Sequence, residues 1–559
     1  MLYLINRSRG YGVRYPLSHV QSHSQVIHAV RTNGRVDLLV PAGGAGLLAA
    51  LLVWLGPPGA DLAAHVYQRT LFIEHGFVLW NNFWYAGRYS FVNYSVLYYP
   101  LAAAIGIKLL AVLSVTVAVV AFSAVVRREW ELHSRWTIRA FAVVWALLVV
   151  SAAYPFMLGM ALALLSLWSL QHDRRWVFAG LTLLTLAASP LAFLLLVVLL
   201  AAVALAGRGE PRRFVAPAAA IGSIGVLEFL MRRMFPGRGS YPFSPEEFLA
   251  AVAFCLIGVA LTWKVAGARL LRWTYVVYFV ACTAAFTVSS PVGENIARLR
   301  FVAAPLAILT LSLRRWQPRF LCAVALALAL SWNLTPLAAS FVRGVNDPAA
   351  HAEYWSPTIT YLKRHLPPSY RVEAVDTAGH WPADFLARAR IPLARGWFRQ
   401  EDFPQNRVLY GELGAKAYVA WLRRVSVRYV VLTTARPDYS SRAEARLLKS
   451  GRSGLTPVYR TATTTIFKVS SPRPLITAPA RVLALGYTSI KLAVPVKGTY
   501  LLNVTYAPYW HTRAGCLTET PDGMTQLTVR RTGVVSLRFA VTATRALEAM
   551  VGTQPEPCS

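Results

Sequence analysis

Eleven apolar stretches recur through residues 36–342, and they decide the fold class before any motif is considered. They are 36–56, 108–126, 137–153, 155–171, 176–188, 191–207, 214–231, 248–266, 273–290, 301–314 and 318–342. Runs of roughly 18 or more apolar residues read as membrane spans, because a helix satisfies its own backbone groups where no water can. Only 15% of the chain is charged and 56% is hydrophobic, whereas a soluble domain carries about 25% charged residues. The reading is a polytopic α-helical membrane protein of about 11–13 spans, with a C-terminal extracytoplasmic α/β plus β-sandwich region. No cleavable signal peptide is expected: residues 1–35 are polar and basic, and Leu38–Leu55 is long enough to remain as an anchor.

The 57 Lys and Arg against 25 Asp and Glu first suggest nucleic acid. The basic residues form no single arm or stripe, however, so nucleic acid is not an expected partner. They recur as short clusters between apolar runs, which is how orientation signals are arranged. Arg7, Arg9, Arg14, Arg31 and Arg35 precede the first run and set the N-terminus inside. Alternating from there puts Arg127/Arg128/Arg135, Arg174/Arg175, Arg208/Arg212/Arg213, Lys264/Arg269/Arg272 and Arg314/Arg315/Arg319 inside as well. Eleven crossings leave the C-terminus outside, provided that 96–107, interrupted by Pro100, is re-entrant or interfacial; otherwise thirteen is the natural repair. The expected location is the cell (inner) membrane, with a cytoplasmic N-terminus.

The expected organisation is a cytoplasmic basic segment 1–35, a transmembrane domain 36–342 with a first outer loop 57–107, an α/β domain 343–470 and a β-sandwich-like module 471–559. "SYRVEAVDT" and "VRYVVLTT" read as strands flanking a helix near 415–424, and "TTTIFKV" as a last strand. Short alternating runs such as "SIKLAV" and "VVSLRFAV" follow, as a sandwich requires. Cys255, Cys282 and Cys322 fall in spans. Cys516 and Cys558 stand alone in the tail, and the expected disulfide joins them.

The first loop carries the chemistry. Asp61 and His65 share a helix face, Arg69 continues it, and Glu74, Asn82, Trp84, Tyr85 and Arg88 follow. Aromatic faces beside amides and acids suit carbohydrate. Two readings of Asp61 stand: an N-cap for the helix beginning "LAAHVYQ", or a general base for an acceptor hydroxyl. Arg298 and Arg300, in "GENIARLR" with Glu294, either hold a lipid phosphate or snorkel to the interface. In "ARGWFRQED", Trp397 is core or ligand contact, while Arg395 and Arg399 either knot with Glu401 and Asp402 or hold a glycan.

"GADLAAHVYQ", the aromatic loop, "LGMALALL", "SPLAFLLL" and "GENIARLR" together resemble GT-C-fold membrane glycosyltransferases. The chain looks most like an actinobacterial branch with a large outer C-terminal domain. That domain has runs similar to "IPLARGWFRQEDFPQN" and "YVAWLRRVSVRYVVL", and "VTYAPYWHTRAGC" resembles the β module of related proteins. The resemblance implies an inverting transfer of a pentose or hexose from a polyprenyl phosphate to a cell-envelope glycan or lipid on the outer face. Asp61 matches the acid usually essential in the first outer loop. Many members have paired acids there; this loop has Asp61 alone, so no metal or other cofactor is expected. On this reading Arg298 and Arg300, with Arg69 or Arg88, hold the donor phosphate, and His65, Glu74, Asn82, Trp84, Tyr85, Glu294, Trp397 and Arg399 contact sugar or acceptor. The rival readings are a lipid or glycolipid transporter and a non-catalytic glycan-binding scaffold.

Overall fold

The computed structural model describes residues 20–207, 212–237 and 239–551. Arg7, Arg9, Arg14, Arg208 and Cys558 lie outside the described residues. The chain forms two compact units. One, the membrane unit, is built from Met1–Pro57, Ala104–Val226 and Pro242–Val342; the other, the tail unit, from Pro58–Ala103, Leu227–Tyr241 and Arg343–Ser559.

Every one of the eleven apolar runs is helical. Helix α1 (Val20–Leu55) comes first. After it come α2 (Leu62–His75), strands β1 (Trp80–Asn81) and β2 (Arg88–Tyr89), and α3 (Tyr98–Ile105), which belong largely to the tail unit. The membrane unit continues with α4 (Ile107–Trp130), α5 (Arg135–Leu147), α6 (Tyr154–Gln171), α7 (Arg175–Ala188), α8 (Pro190–Ala206), α9 (Arg212–Met234), α10 (Pro245–Thr262) and α11 (Arg269–Thr287). A 3-10 helix, Gly293–Val302, runs into α12 (Ala303–Leu313), and α13 (Arg319–Gly344) closes the unit. Among the described residues, eight helices are long and apolar enough to cross a membrane, and α7 and α8 are shorter apolar helices. The protein is a multi-pass membrane protein.

Local sequence explains where these helices begin and how closely they pack. Ser189 accepts a hydrogen bond from the Ala192 amide and Pro190 occupies the first turn, so "SPLAFLLL" starts α8 with a side-chain cap. Ala42, Ala45 and Ala49 bury one face of α1 while Leu39, Val40 and Leu47 stay exposed. Gly46 lies on the buried face, where an added Cβ would meet Thr116 Oγ1 of α4 at 2.6 Å. In a membrane, small residues at such a seam let helices approach closely enough for dispersion to hold them.

In the tail unit, α14 (Ala352–His365), β3 (Arg371–Ala374), α15 (Trp381–Arg388), α16 (Ala415–Arg424), β4 (Val427–Thr433), α17 (Arg442–Lys449), β5 (Thr456–Arg460) and β6 (Thr464–Lys468) form an α/β layer. Its sheet has the order β3-β4-β6-β5, with β3 parallel to β4 and the rest antiparallel. β4, "VRYVVLT", is buried along nearly its whole length, as a strand covered on both faces should be. The sandwich follows as β7 (Arg481–Leu485), β8 (Ser489–Val494), β9 (Gly498–Thr505), β10 (Trp510–His511), β11 (Gly515–Glu519), β12 (Met524–Val529) and β13 (Gly533–Phe539), ending in α18 (Ala543–Val551). Sheet β10-β13-β8-β7 faces sheet β11-β12-β9. Ile490, Leu492, Val535 and Leu537 point inward while Lys491, Ser536 and Arg538 point out, the period of two that a half-buried strand imposes. Cys516 of β11 is disulfide-bonded.

The segment 58–103 is core, not ornament. Phe83, Trp84 and Tyr85 are buried in the α/β layer with Trp355, Val372, Leu386 and Trp397. Trp80 and Tyr89, on the β1–β2 hairpin, are buried in the sandwich with Ile490, Tyr509 and Phe539. Backbone bonds reinforce this: Leu393 donates to the Phe83 carbonyl at 2.9 Å and Thr505 to that of Ala86 at 2.7 Å. One loop thus joins both parts of the unit.

Segments packed in one core share one compartment. On the expected topology the chain crosses the bilayer an even number of times between Ala103 and Leu227, and again between Tyr241 and Arg343. Taken as crossings, the six helices α4 to α9 and the four from α10 to α13, counting the 3-10 helix with α12, give even numbers. Cysteines introduced one at a time at Glu74, Pro236 and Arg452 are expected to react with a membrane-impermeant maleimide from one side, and a cysteine at Asp173, three crossings on, from the other. Labelling of Asp173 from the same side as Glu74 would refute the count.

Candidate functional site

"GPPG" ends α1, since two prolines cannot continue it, and Asp61 then stands at the N-cap of α2. Its side chain does not cap: φ is −95°, ψ 5°, and no side-chain bond reaches the helix start. Instead Oδ1 accepts the indole N–H of Trp397 at 2.9 Å, from 336 residues away in the chain. Among the described residues this is the carboxylate's one hydrogen bond, and Asp61 makes no ion pair. The side chain remains half-buried.

His65, one turn on, is fully buried. Nδ1 lies 3.1 Å from the Tyr99 hydroxyl, and the ring is 5.6 Å from Trp397, 5.7 Å from Tyr98 and 6.1 Å from Tyr94 between centroids. Gln68 continues the same face, buried with both amide atoms lacking a protein partner. An unsatisfied buried amide costs about 1–3 kcal/mol, which marks the place as polar in purpose. The chain therefore brings together Asp61, His65 and Trp397, and adds Gln68, which the sequence reading passed over; its spacing from Asp61 and His65 was the available signal.

Other expected contacts are consumed by the fold. The Trp84 indole donates to the Ala383 carbonyl at 2.8 Å, and Trp84 has no exposed surface. Tyr85 donates to the Phe398 carbonyl. Asn82 donates to the Gly486 carbonyl and accepts from Trp80. These three were expected to meet sugar; as placed, aromatic bulk has drawn Trp84 and Tyr85 into the core, and Asn82 is held by its hydrogen bonds to Gly486 and Trp80. Arg88 is buried over the Phe398 ring at 3.6 Å and pairs with Glu401 at 3.6 Å. Burial pulls its guanidinium down from the usual range, opposed by Glu401. It is spent inside and not open to a phosphate. Arg69 donates to the Ala102 carbonyl at 2.8 Å. Glu74 is exposed at the far end of α2 beside His75, 3.7 Å away, apart from the Asp61 end.

Behind Trp397 lies a buried charge network. Arg395 binds both oxygens of Asp402, at 3.2 and 2.8 Å, and the hydroxyls of Ser440 and Ser441. Arg399 reaches Asp376, Asp438 at 3.2 Å and His380 Nδ1 at 3.0 Å. The knot foreseen with Asp402 is present; Glu401 instead serves Arg88, and Arg399, 8% exposed, is enclosed and not presented to a glycan. Asp376, His380 and Asp438 went unnoticed in the sequence, although Asp376 and His380 stand four apart in "DTAGH". Among the described residues they are the one group with metal-ligand spacing, their ligating atoms within 4.8 Å. The Arg399 guanidinium already bonds to both carboxylates of the group, supplying the positive charge that an ion would.

Charge compensation shapes these groups. Asp438 would rise on burial, but Arg399 and His380 hold its carboxyl at about 2. Asp402 is likewise lowered, burial being outweighed by Arg395 and Arg399. His380 would fall on burial, but Asp376 raises it. Burial pushes Glu444 up to about 7 against Arg395, and Asp384 up to about 7 against Arg388.

In the membrane unit, Glu294, Arg298 and Arg300 sit on the 3-10 helix Gly293–Val302. Ten residues is long for this conformation, in which side chains three apart eclipse. Glu294 and Arg300 therefore share one face, and Arg298 takes another. Glu294 accepts from the Ser244 hydroxyl at 2.9 Å. Arg300 pairs with Glu247 at 2.8 Å, and Glu247 also accepts from Trp332. Arg298 is half-buried over the Phe156 ring at 5.3 Å and makes no ion pair among the described residues. The two arginines are thus not a matched pair; Arg298 alone carries an uncompensated charge.

No protein-family profile matches this chain, and no curated protein does. Among solved structures, it is similar to cryo-EM structures of the arabinofuranosyltransferase AftD from mycobacteria. One matches at 15% identity and TM-score 0.44, covering 78% of this chain and 40% of that one. A mutant form of it matches at 17% identity and TM-score 0.45, covering 78% and 42%. The chain spans about two fifths of the length of the structures it matches. Likeness at this level says nothing about substrate or reaction.

Groups raised on folding stabilise the folded state below their unfolded values, and that stability is lost as pH rises through the folded values. For Glu444 and Asp384 the loss falls between the ordinary carboxylate range and about pH 7, and for His380 it begins at the ordinary imidazole value and runs upward. Asp438 and Asp402, being lowered, lose their contribution only in strong acid. The tail unit is thus expected to resist proteolysis better at about pH 5 than at about pH 8. Glu444→Gln should narrow the gap; equal resistance at both values would contradict the assignment.

Proposed function

We propose that this chain is a GT-C-type membrane glycosyltransferase. It moves a sugar from a polyprenyl-phosphate donor to a cell-envelope glycan or lipid acceptor on the outer face of the membrane. The observation that supports this most is the state of Asp61. The carboxylate follows the first membrane helix, is steadied at one oxygen by Trp397, and is spent neither on a helix cap nor on an ion pair. A general base needs that combination: fixed, yet with an oxygen to spare.

The step balances without further participants. The acceptor hydroxyl oxygen bonds to the anomeric carbon as Asp61 Oδ2 takes its proton. The bond from that carbon to the phosphate oxygen breaks, and the polyprenyl phosphate leaves with the electron pair. Attack opposite the leaving group inverts the anomeric centre. Phosphate is already a competent leaving group, so no protein nucleophile or metal is called for. Arg298 is assigned to the phosphate charge, since Arg300 is neutralised by Glu247 and Arg88 by Glu401.

Asp61→Asn is expected to lower transfer by about 10²–10⁴-fold, the worth of a general base, while donor binding is retained. Radiolabelled polyprenyl-phosphate sugars and the purified full chain measure both. Arg298→Ala should instead raise the donor KM about tenfold. Full transfer by Asp61→Asn would remove Asp61 from the base role, and absence of transfer by the unaltered chain would remove the enzymatic reading and leave a transporter or scaffold.

A further inference from the structure

We propose that Trp397 is a positioning residue: its indole N–H fixes the rotation of the Asp61 carboxylate so that Oδ2, and not Oδ1, meets the acceptor. This inference rests on the reading of Asp61 as the base. A carboxylate on a short side chain turns about its last torsion over a broad well, so an unheld Asp61 would offer either oxygen at many angles. The bond at 2.9 Å selects one.

Trp397 is itself held from every side. Its ring meets Tyr94 edge-on at 5.3 Å, Phe398 at 4.7 Å and His65 at 5.6 Å, geometries in which aromatic edges face π clouds. Gly396 beside it is pressed against the first loop, where an added Cβ would meet Trp84 Cγ at 2.8 Å and Tyr85 Cε2 at 2.9 Å. Arg395 and Arg399 bracket the residue, each anchored in buried carboxylates. The strip can shift neither toward Asp61 nor away from it without breaking paired charges in a dry interior, where a lost partner costs far more than at a surface. His65 completes the arrangement by packing against the Trp397 ring, so its part is support for the donor and not contact with sugar.

The test uses the full chain in detergent and two substitutions. Trp397→Phe keeps an aromatic ring but removes the N–H; Trp397→His restores a ring N–H. A hydrogen bond to one carboxylate oxygen makes its two C–O bonds unequal, which moves the antisymmetric stretch in the infrared. The Asp61 band is identified by its loss in Asp61→Asn. In parallel, cells are profiled for the envelope glycan that is lost when the whole chain is deleted. Trp397→Phe should shift the band and lower that glycan about tenfold, with the tail unit as resistant to protease as before. Trp397→His should recover part of both. An unshifted band in Trp397→Phe overturns the inference whatever Asp61→Asn does. A shifted band with Asp61→Asn at full output overturns the base reading, and the positioning role with it.

Discussion

Trp84 buries its whole surface and gives its indole N–H to Ala383, 299 residues further along the chain. Around that contact a loop lying between two membrane helices becomes part of the interior of a domain most of whose chain follows all of them. Burial of large rings is the strongest term available to such a loop. Phe83, Tyr85, Trp80 and Tyr89 follow Trp84 inward, and the start of α2, with Asp61, is fixed to the tail as a result.

The second constraint is electrostatic. Buried ion pairs add little net stability, because desolvation offsets the attraction, but removing one partner is severe. The network of Arg395, Arg399, Asp376, Asp402, Asp438 and His380 is better understood as a device for uniqueness. It gives the strip from Ala394 to Asp402 one conformation, and that strip carries Trp397. Two arginines face three aspartates, and Asp376 beside His380 raises its imidazole against the opposing effect of burial.

Much of the architecture was legible because it depends on period and length. Apolar runs became helices, Ser189–Pro190 started α8, and alternation in "SIKLAV" placed Lys491 outward. Legibility failed where a residue type has two fates. Trp and Tyr suit a sugar face and a protein core equally well, and nothing local in "LWNNFWYAGRY" says that a core awaits it hundreds of residues away. Arginine has the same ambiguity: Arg88 and Arg298 look alike in sequence, yet Glu401 closes one and leaves the other open. Asp61 and Trp397 were each singled out from the sequence, but their pairing was not, since no spacing rule links positions so far apart.

The pairing of an early loop with a late domain has a consequence for how the protein is made. Synthesis proceeds from the N-terminus, so Trp80, Trp84 and their neighbours are made well before the ribosome has read the segments that will enclose them. For that interval the loop is an aromatic surface awaiting a host, with Asp61 attached but not yet aimed. A chain truncated anywhere within the tail leaves that surface bare, so the damage from a late stop codon would fall on the first loop as much as on the missing strands.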